Sequence, residues 1–330
     1  MLQLFRTNQP LTVILLVVYA LVLRLNSFIA PTDWQPINAN YFSTLIYDWI
    51  GTSGLTANVV ALFLIVAQGL MLNAAVNNYK MARQLTFVPA AMYVLLASSL
   101  PDFLNLHPIH FSNTFLILAI TALYSSYRQY VAADALFNVG FFIAIGSLFY
   151  FSANVFLIFA LIGLTIIRSL NLNDIFIILI GFFVPYFLLG TYLYWTDSFE
   201  QFGYIIGQFN FLDFKISGGW LIYAQLGFIL LLILWSILGS NSFFFKTNIQ
   251  VQKNISLLFW ALLIGSLSVF YQRQLDFGHL LIIIVPLSVF LAFHLLNMKN
   301  KAIADVIHLL ILALVFAFQY NEYLLNLVNN

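Results

Sequence analysis

RQLDFGHLLIIIVPLSVFLAFHLL, Arg273 to Leu296, opens on an arginine, an aspartate and a histidine, then runs into six apolar residues and a proline. A hydrocarbon core about 30 Å thick takes roughly 20 apolar residues in a helix, and the run over 278–297 meets that length. Pro286 falls about two helical turns beyond His279 and reads as a packing kink within the span. The charged opening has two readings. It is either a connecting loop in which Arg273 pairs with Asp276, or a polar site at a membrane surface.

The rest of the chain has the same character. Of 330 residues, 63% are hydrophobic and only 7% are charged, with a mean hydropathy of +0.98. Soluble domains carry about 25% charge, so this composition belongs to lipid. No long polar stretch marks off a soluble domain, and residues 1–330 read as one integral membrane domain. A net charge of +1 argues against nucleic acid as a partner. With no cysteine, disulfides, thiolate metal sites and cysteine nucleophiles are excluded. The opening MLQLFRTNQP and its apolar sequel lack a small-residue cleavage site, so a retained first helix is expected.

Continuous apolar runs predict an all-α, polytopic membrane helix bundle of about eleven spans. These are 11–30, 54–76, 86–100, 112–127, 135–150, 153–168, 174–195, 219–239, 255–271, 278–297 and 302–320. With the N-terminus inside, nine of the twelve basic residues fall at inner ends: Arg6, Lys80, Arg83, Arg128, Arg168, Lys246, Lys253, Lys299 and Lys301. That follows the positive-inside rule, and an odd number of spans puts the C-terminus outside. Eight of the eleven acids then fall outside, leaving Asp134, Asp174 and Asp305 within. Two outer segments carry helical periodicity and suit helices lying in the interface plane. In ANYFSTLIYDWI, residues 39–50, the apolar face is expected from Tyr41, Phe42, Leu45, Ile46, Trp49 and Ile50. SFEQFGYIIGQFNFLDF, residues 198–214, repeats the pattern.

Chemistry is expected on the outer face. Asp33, in APTDWQP, is a candidate general base or metal ligand, or a solvated loop acid. LPDFLNLHPIH supplies Asp102, His107 and His110, and the opening stretch adds Arg273, Asp276 and His279. Acids and histidines on one face suit an acid–base pair or a divalent cation, although the proline inside HPIH weakens that spacing as a metal motif. Arg24 either snorkels to the headgroups or turns inward to hold an anion such as a lipid phosphate, for which the guanidinium fork is suited. Basic LNAAVNNYKMARQ, residues 72–84, is expected at anionic headgroups. His294 and His308 read as packing residues. No phosphate-binding glycine loop, nucleophile elbow or zinc-protease helix is present.

Two stretches together, LRLNSFIAPTDW with NYFSTLIYDWI and RQLDFGHLLIIIVPLSVFLAFHLL, give a layout that resembles the C-superfamily membrane glycosyltransferases. The segment LNAAVNNYKMARQLTFVPAAMYVLLASSLPDF is also similar to a family of multi-pass bacterial inner-membrane proteins without an established activity. The first resemblance implies a sugar donor carried on polyprenyl phosphate and an outer-loop catalytic acid at Asp33, with Asp276 and His279 or His107 assisting. It also implies a lipid phosphate held by Arg273 and Arg24. The paired acidic motif of several such families is missing from the first loop, and a soluble C-terminal domain is not expected within residues 1–330. A transporter of lipid-linked cargo and an accessory subunit with a membrane-protein partner are the alternatives.

Overall fold

The computed structural model describes residues 2–7, 9–31, 34–207, 220–239, 247–272, 274 and 276–321. Asp33 and Arg273 lie outside the described residues. The described chain is all-helical, with one isolated β-bridge, Ala39 to Tyr150. The helices are α1 Leu2–Phe5, α2 Pro10–Leu23, α3 Leu25–Ile29, α4 Tyr41–Ile50, α5 Leu55–Asn78, α6 Val88–Leu96, α7 Pro108–Ser125 and α8 Ala133–Phe149. They continue as α9 Phe156–Ile167, α10 Leu172–Trp195, α11 Glu200–Ile206, α12 Trp220–Gly239, α13 Ile249–Leu267, α14 Leu281–Asn297 and α15 Lys301–Gln319.

Sequence places the ends of these helices. Pro10, Pro89 and Pro108 stand at the first turns of α2, α6 and α7. There the fixed φ suits a helix and the missing N–H costs nothing. Asn40, Asn171 and Asn300 cap α4, α10 and α15, each accepting a backbone N–H.

Among the described residues six helical stretches are long and apolar enough to cross a membrane. They are Leu55–Asn78, Leu172–Trp195, Trp220–Gly239, Ile249–Phe270, Phe277–Asn297 and Lys301–Gln319. The expected count of about eleven is therefore not reached by length and composition. Pro10–Leu23, Ala133–Phe149 and Phe151–Ile167 are apolar but shorter. The clearest departure is 86–100, expected as a span. Helix α6 has nine residues, about 14 Å at 1.5 Å per residue, which is half a hydrocarbon core. It gives way to Ser98, Ser99 and a 3-10 turn begun by Pro101.

α14 is the axis of the bundle. Every residue from Leu281 to Leu295 is buried, as is all of α6. α14 packs against α6, α7, α12 and α13, and one apolar cluster extends from Leu2 to Val315. Beside this centre, α8 and α10 cross with their backbones almost touching. A Cβ on Gly140 would overlap the Ile178 carbonyl, and one on Gly181 would overlap the Phe137 carbonyl. Apolar surface gains little by association in lipid, so close backbone approach through small residues supplies the packing.

Helix α4 forms where expected. Ser43 and Tyr47, outside the expected apolar face, are its buried pair, while Leu45 is half exposed and Trp49 is 90% exposed. Ser43 donates to the Phe149 carbonyl and Tyr47 to the Leu106 carbonyl, each at 2.8 Å. These two hydroxyls gain partners in the protein, while Leu45 and Trp49 face outward, as suits a helix lying in an interface. In the second expected interfacial segment, helix α11 covers Glu200–Ile206, and residues 208–214 lie outside the described residues.

Candidate functional site

Four connecting segments meet at one end of the bundle. Asn38 and Gln274 exchange hydrogen bonds, side-chain Nδ2 to Gln274 O at 2.8 Å and Gln274 N to Oδ1 at 3.0 Å. Asn38 holds φ at 59°, a left-handed conformation that asparagine accepts more readily than most residues. Asn40 donates through its backbone N to the Phe149 carbonyl at 3.1 Å and through Nδ2 to the Ser147 carbonyl at 2.8 Å. The loop after α3, the end of α8 and the approach to α14 are thereby fixed to one another.

Arg24 supplies the next tie. Expected either at the headgroups or on an anion, it is instead fully enclosed. Its Nη1 donates to the Phe103 carbonyl at 3.1 Å and its Nη2 to the Leu104 carbonyl. His110 Nε2 shares the Phe103 carbonyl at 3.2 Å. The guanidinium fork thus holds the 3-10 turn Pro101–Leu104, and Asp102 rides on that turn.

On this scaffold His107 meets Asp276. Nε2 lies 2.5 Å from Asp276 Oδ2, and both side chains are buried. His107 is also the N-cap of α7, where its Nδ1 accepts the Ile109 N–H at 3.2 Å. That leaves Nε2–H to donate to the carboxylate. Asp276 is in turn the N-cap of the 3-10 turn Phe277–Leu280, with Oδ1 accepting the Gly278 N–H at 2.8 Å. A Cβ on Gly278 would strike the His107 ring, so only glycine lets the pair close. The Trp34 ring packs on His107 with centroids 5.4 Å apart, and Tyr150 lies on it at 5.9 Å.

The carboxyls here are driven apart. Burial pushes Asp276 up, but the adjacent His107, its hydrogen bond and the Gly278 N–H together hold the acid below its usual range. Burial raises Asp102, and the negative charge of Asp276 raises it further against an opposing pull from His107. Two acids with divergent pKa values around one imidazole are the arrangement by which one fold divides proton-accepting and charge-stabilising roles.

His279, expected to act with Asp276, is committed elsewhere. Ser268 donates its only proton to the Gly265 carbonyl at 2.7 Å, so it accepts from His279 Nε2 at 2.8 Å. Nδ1 is then left to accept the Tyr150 hydroxyl proton at 2.9 Å. Both ring nitrogens are satisfied and the residue is fully buried, so His279 acts as a buried brace of the site.

The two histidines of HPIH do not converge. Pro108 begins α7, His107 turns to Asp276 and His110 turns to the Phe103 carbonyl. Among the described residues no group of three or more histidine and acidic side chains is placed to hold a metal ion. Asp276 pairs with His107, 169 positions away, while Arg273, its expected partner, lies outside the described residues, as does Asp33. Trp34, Tyr150, Ser268 and Gly278 escaped the reading of the sequence. Only Gly278, two residues after an acid and next to a histidine, carried a local signal. No family model matches the chain, and no curated protein or solved structure matches it either.

Proposed function

We propose that the chain is a membrane glycosyltransferase that takes a sugar from a polyprenyl-phosphate carrier. The site is the end of the bundle where His107, Asp276 and Asp102 meet. In this reading the bundle sits in a bacterial inner membrane, with α6 reaching only part of the way across, the N-terminus inside, the C-terminus outside and the site facing outward. The observation that carries it is the 2.5 Å contact of His107 with Asp276 beside a second, partly exposed carboxyl at Asp102.

The chemistry divides among these groups. Asp102, a stronger base than an ordinary carboxylate, takes the proton as the acceptor hydroxyl attacks the sugar carbon. The bond from that carbon to the phosphate oxygen breaks, and the lipid phosphate leaves with the electron pair. Asp276 keeps His107 fixed and supplies negative charge toward a positive sugar centre. Arg273, three residues before Asp276, receives the leaving phosphate. Asp33, next to Trp34, remains the second candidate base. An apolar cleft of 390 Å³ between α4, α8 and α10, lined by Phe42, Leu45, Ile145 and Leu188 among others, suits a prenyl chain.

The test is a lipid profile of a deletion strain, complemented with wild type, Asp102→Asn, Asp276→Asn or Asp33→Asn. The deletion is expected to accumulate a polyprenyl-linked sugar, and wild type to clear it. Asp102→Asn is expected to insert normally and fail to clear it. An unchanged profile in the deletion strain defeats the enzyme reading, and co-purification with one partner at constant ratio would install the accessory-subunit reading in its place.

A further inference from the structure

At the opposite end of the bundle a cleft of 460 Å³ opens among the N-terminal segment, the loop after α5 and the link from α14 to α15. Its walls are fixed by the backbone. Phe87 N donates to the Phe5 carbonyl at 2.8 Å, and Thr86 Oγ1 donates to the same oxygen at 3.0 Å. Among the described residues lining it, four are cations, Arg6, Arg83, Lys299 and Lys301, and none is an acid.

Four like charges around one cleft repel each other unless something negative sits between them. Arg6 shows the imbalance most directly. Its Nη2 donates to the Leu295 carbonyl in the last turn of α14 at 3.1 Å, which suits the negative end of that helix. Its Nε is buried and meets no acceptor. A buried donor without a partner is uncommon and calls for a ligand or ordered solvent. Lys301 begins the 19-residue α15, so the cleft also has the positive end of a helix dipole at its edge.

We infer that this cleft binds a phosphate-bearing anion, drawn either from an anionic lipid headgroup or from a soluble phosphate or diphosphate. Arg6 and Arg83 offer planar forks to the phosphate oxygens, and Lys299 and Lys301 add point charges. The assignment is independent of the chemistry at His107, because the cleft shares no residue with that site.

The experiment uses the purified full-length chain in detergent and native mass spectrometry. Retention of phosphatidylglycerol is compared with that of phosphatidylcholine. The decisive variant combines Arg83→Gln, Lys299→Gln and Lys301→Gln, all exposed residues, and leaves Arg6 on its carbonyl. Each cation near an anionic headgroup contributes about fivefold in affinity, so the triple variant should lose roughly a hundredfold for phosphatidylglycerol. A control, Arg128→Gln, removes exposed charge elsewhere and should leave retention close to wild type. Displacement of the lipid by millimolar inorganic diphosphate assigns the site to a soluble anion, and resistance assigns it to the lipid; either result supports the cleft. Equal retention of the two lipids, unchanged retention in the triple variant, or equal loss in the control overturns it. Should the triple variant fail to fold, Lys301→Gln alone decides, with about a fivefold loss expected.

Discussion

The two ends of the bundle handle charge in opposite ways. At one end Arg24, His107, His110 and Asp276 are buried and turned onto backbone or one another. At the other, Arg83, Lys299 and Lys301 are exposed around an open cleft. Buried charges must be answered inside the protein, because leaving one unanswered costs several kcal/mol. Exposed cations carry no such obligation and remain available to a ligand. The first end should therefore fail through folding when disturbed, and the second through binding.

Arg24→Ala should give the largest effect. It strips the Leu104 carbonyl of its donor and leaves a cavity, so a loss of about 3–5 kcal/mol is expected by reversible unfolding in detergent. Arg24→Lys should recover only part of this, since an ammonium cannot reproduce the two-pronged contact. A loss below about 1 kcal/mol for Arg24→Ala would erase the contrast between the ends.

Asp276→Asn should come next, at about 2 kcal/mol near neutral pH, because a hydrogen bond to a charged partner is lost. Its pH signature is specific. The native carboxyl lies below its unfolded value of about 3.9, so its stabilisation is complete above that value. That contribution disappears as pH falls through the depressed native value. Asp102 has the opposite sign. Its native pKa is raised, so it destabilises as pH climbs from about 3.9 through the raised value. Asp102→Asn should thus be neutral or stabilising at pH 7 and remove that decline, whereas Asp276→Asn should remove the loss on the acid side. Unfolding midpoints measured from pH 3 to 7 separate the two, and identical profiles would show that the acids are not split.

Ser268→Ala should cost about 1–2 kcal/mol, because His279 Nε2 is left without an acceptor. Arg83→Gln, at the other end, should barely move the unfolding midpoint while weakening phosphatidylglycerol retention about fivefold. A large stability change there would mean that the open end is also held together by its charges.

Class and site were legible to different degrees. Composition and continuous apolar runs were enough for an all-helical membrane chain, because lipid leaves few other solutions for the backbone. The number of spans was not, since a segment buried on all sides is as apolar as one facing lipid. α6 shows this, being nine uniformly buried residues that read as part of a span. Asp102, His107 and Asp276 were each visible as outer polar residues. Their meeting was not, because His107 and Asp276 lie 169 positions apart and the reading favoured the nearer arginine. The commitment of His279 to Tyr150 and Ser268 was hidden in the same way, since neither hydroxyl differs in sequence from an ordinary one.

The position of α14 bears on how the molecule is made. The helix around which the others pack leaves the ribosome after α6, α7, α12 and α13, the helices it joins. Until it arrives, the inward faces of α6, α7, α12 and α13 have no common partner. A chain stopped before residue 281 would hold most of its helices and lack its centre. Assembly of this bundle therefore closes from the outside inward, and a quality-control step that reads exposed inner faces has the whole interval before α14 emerges in which to act.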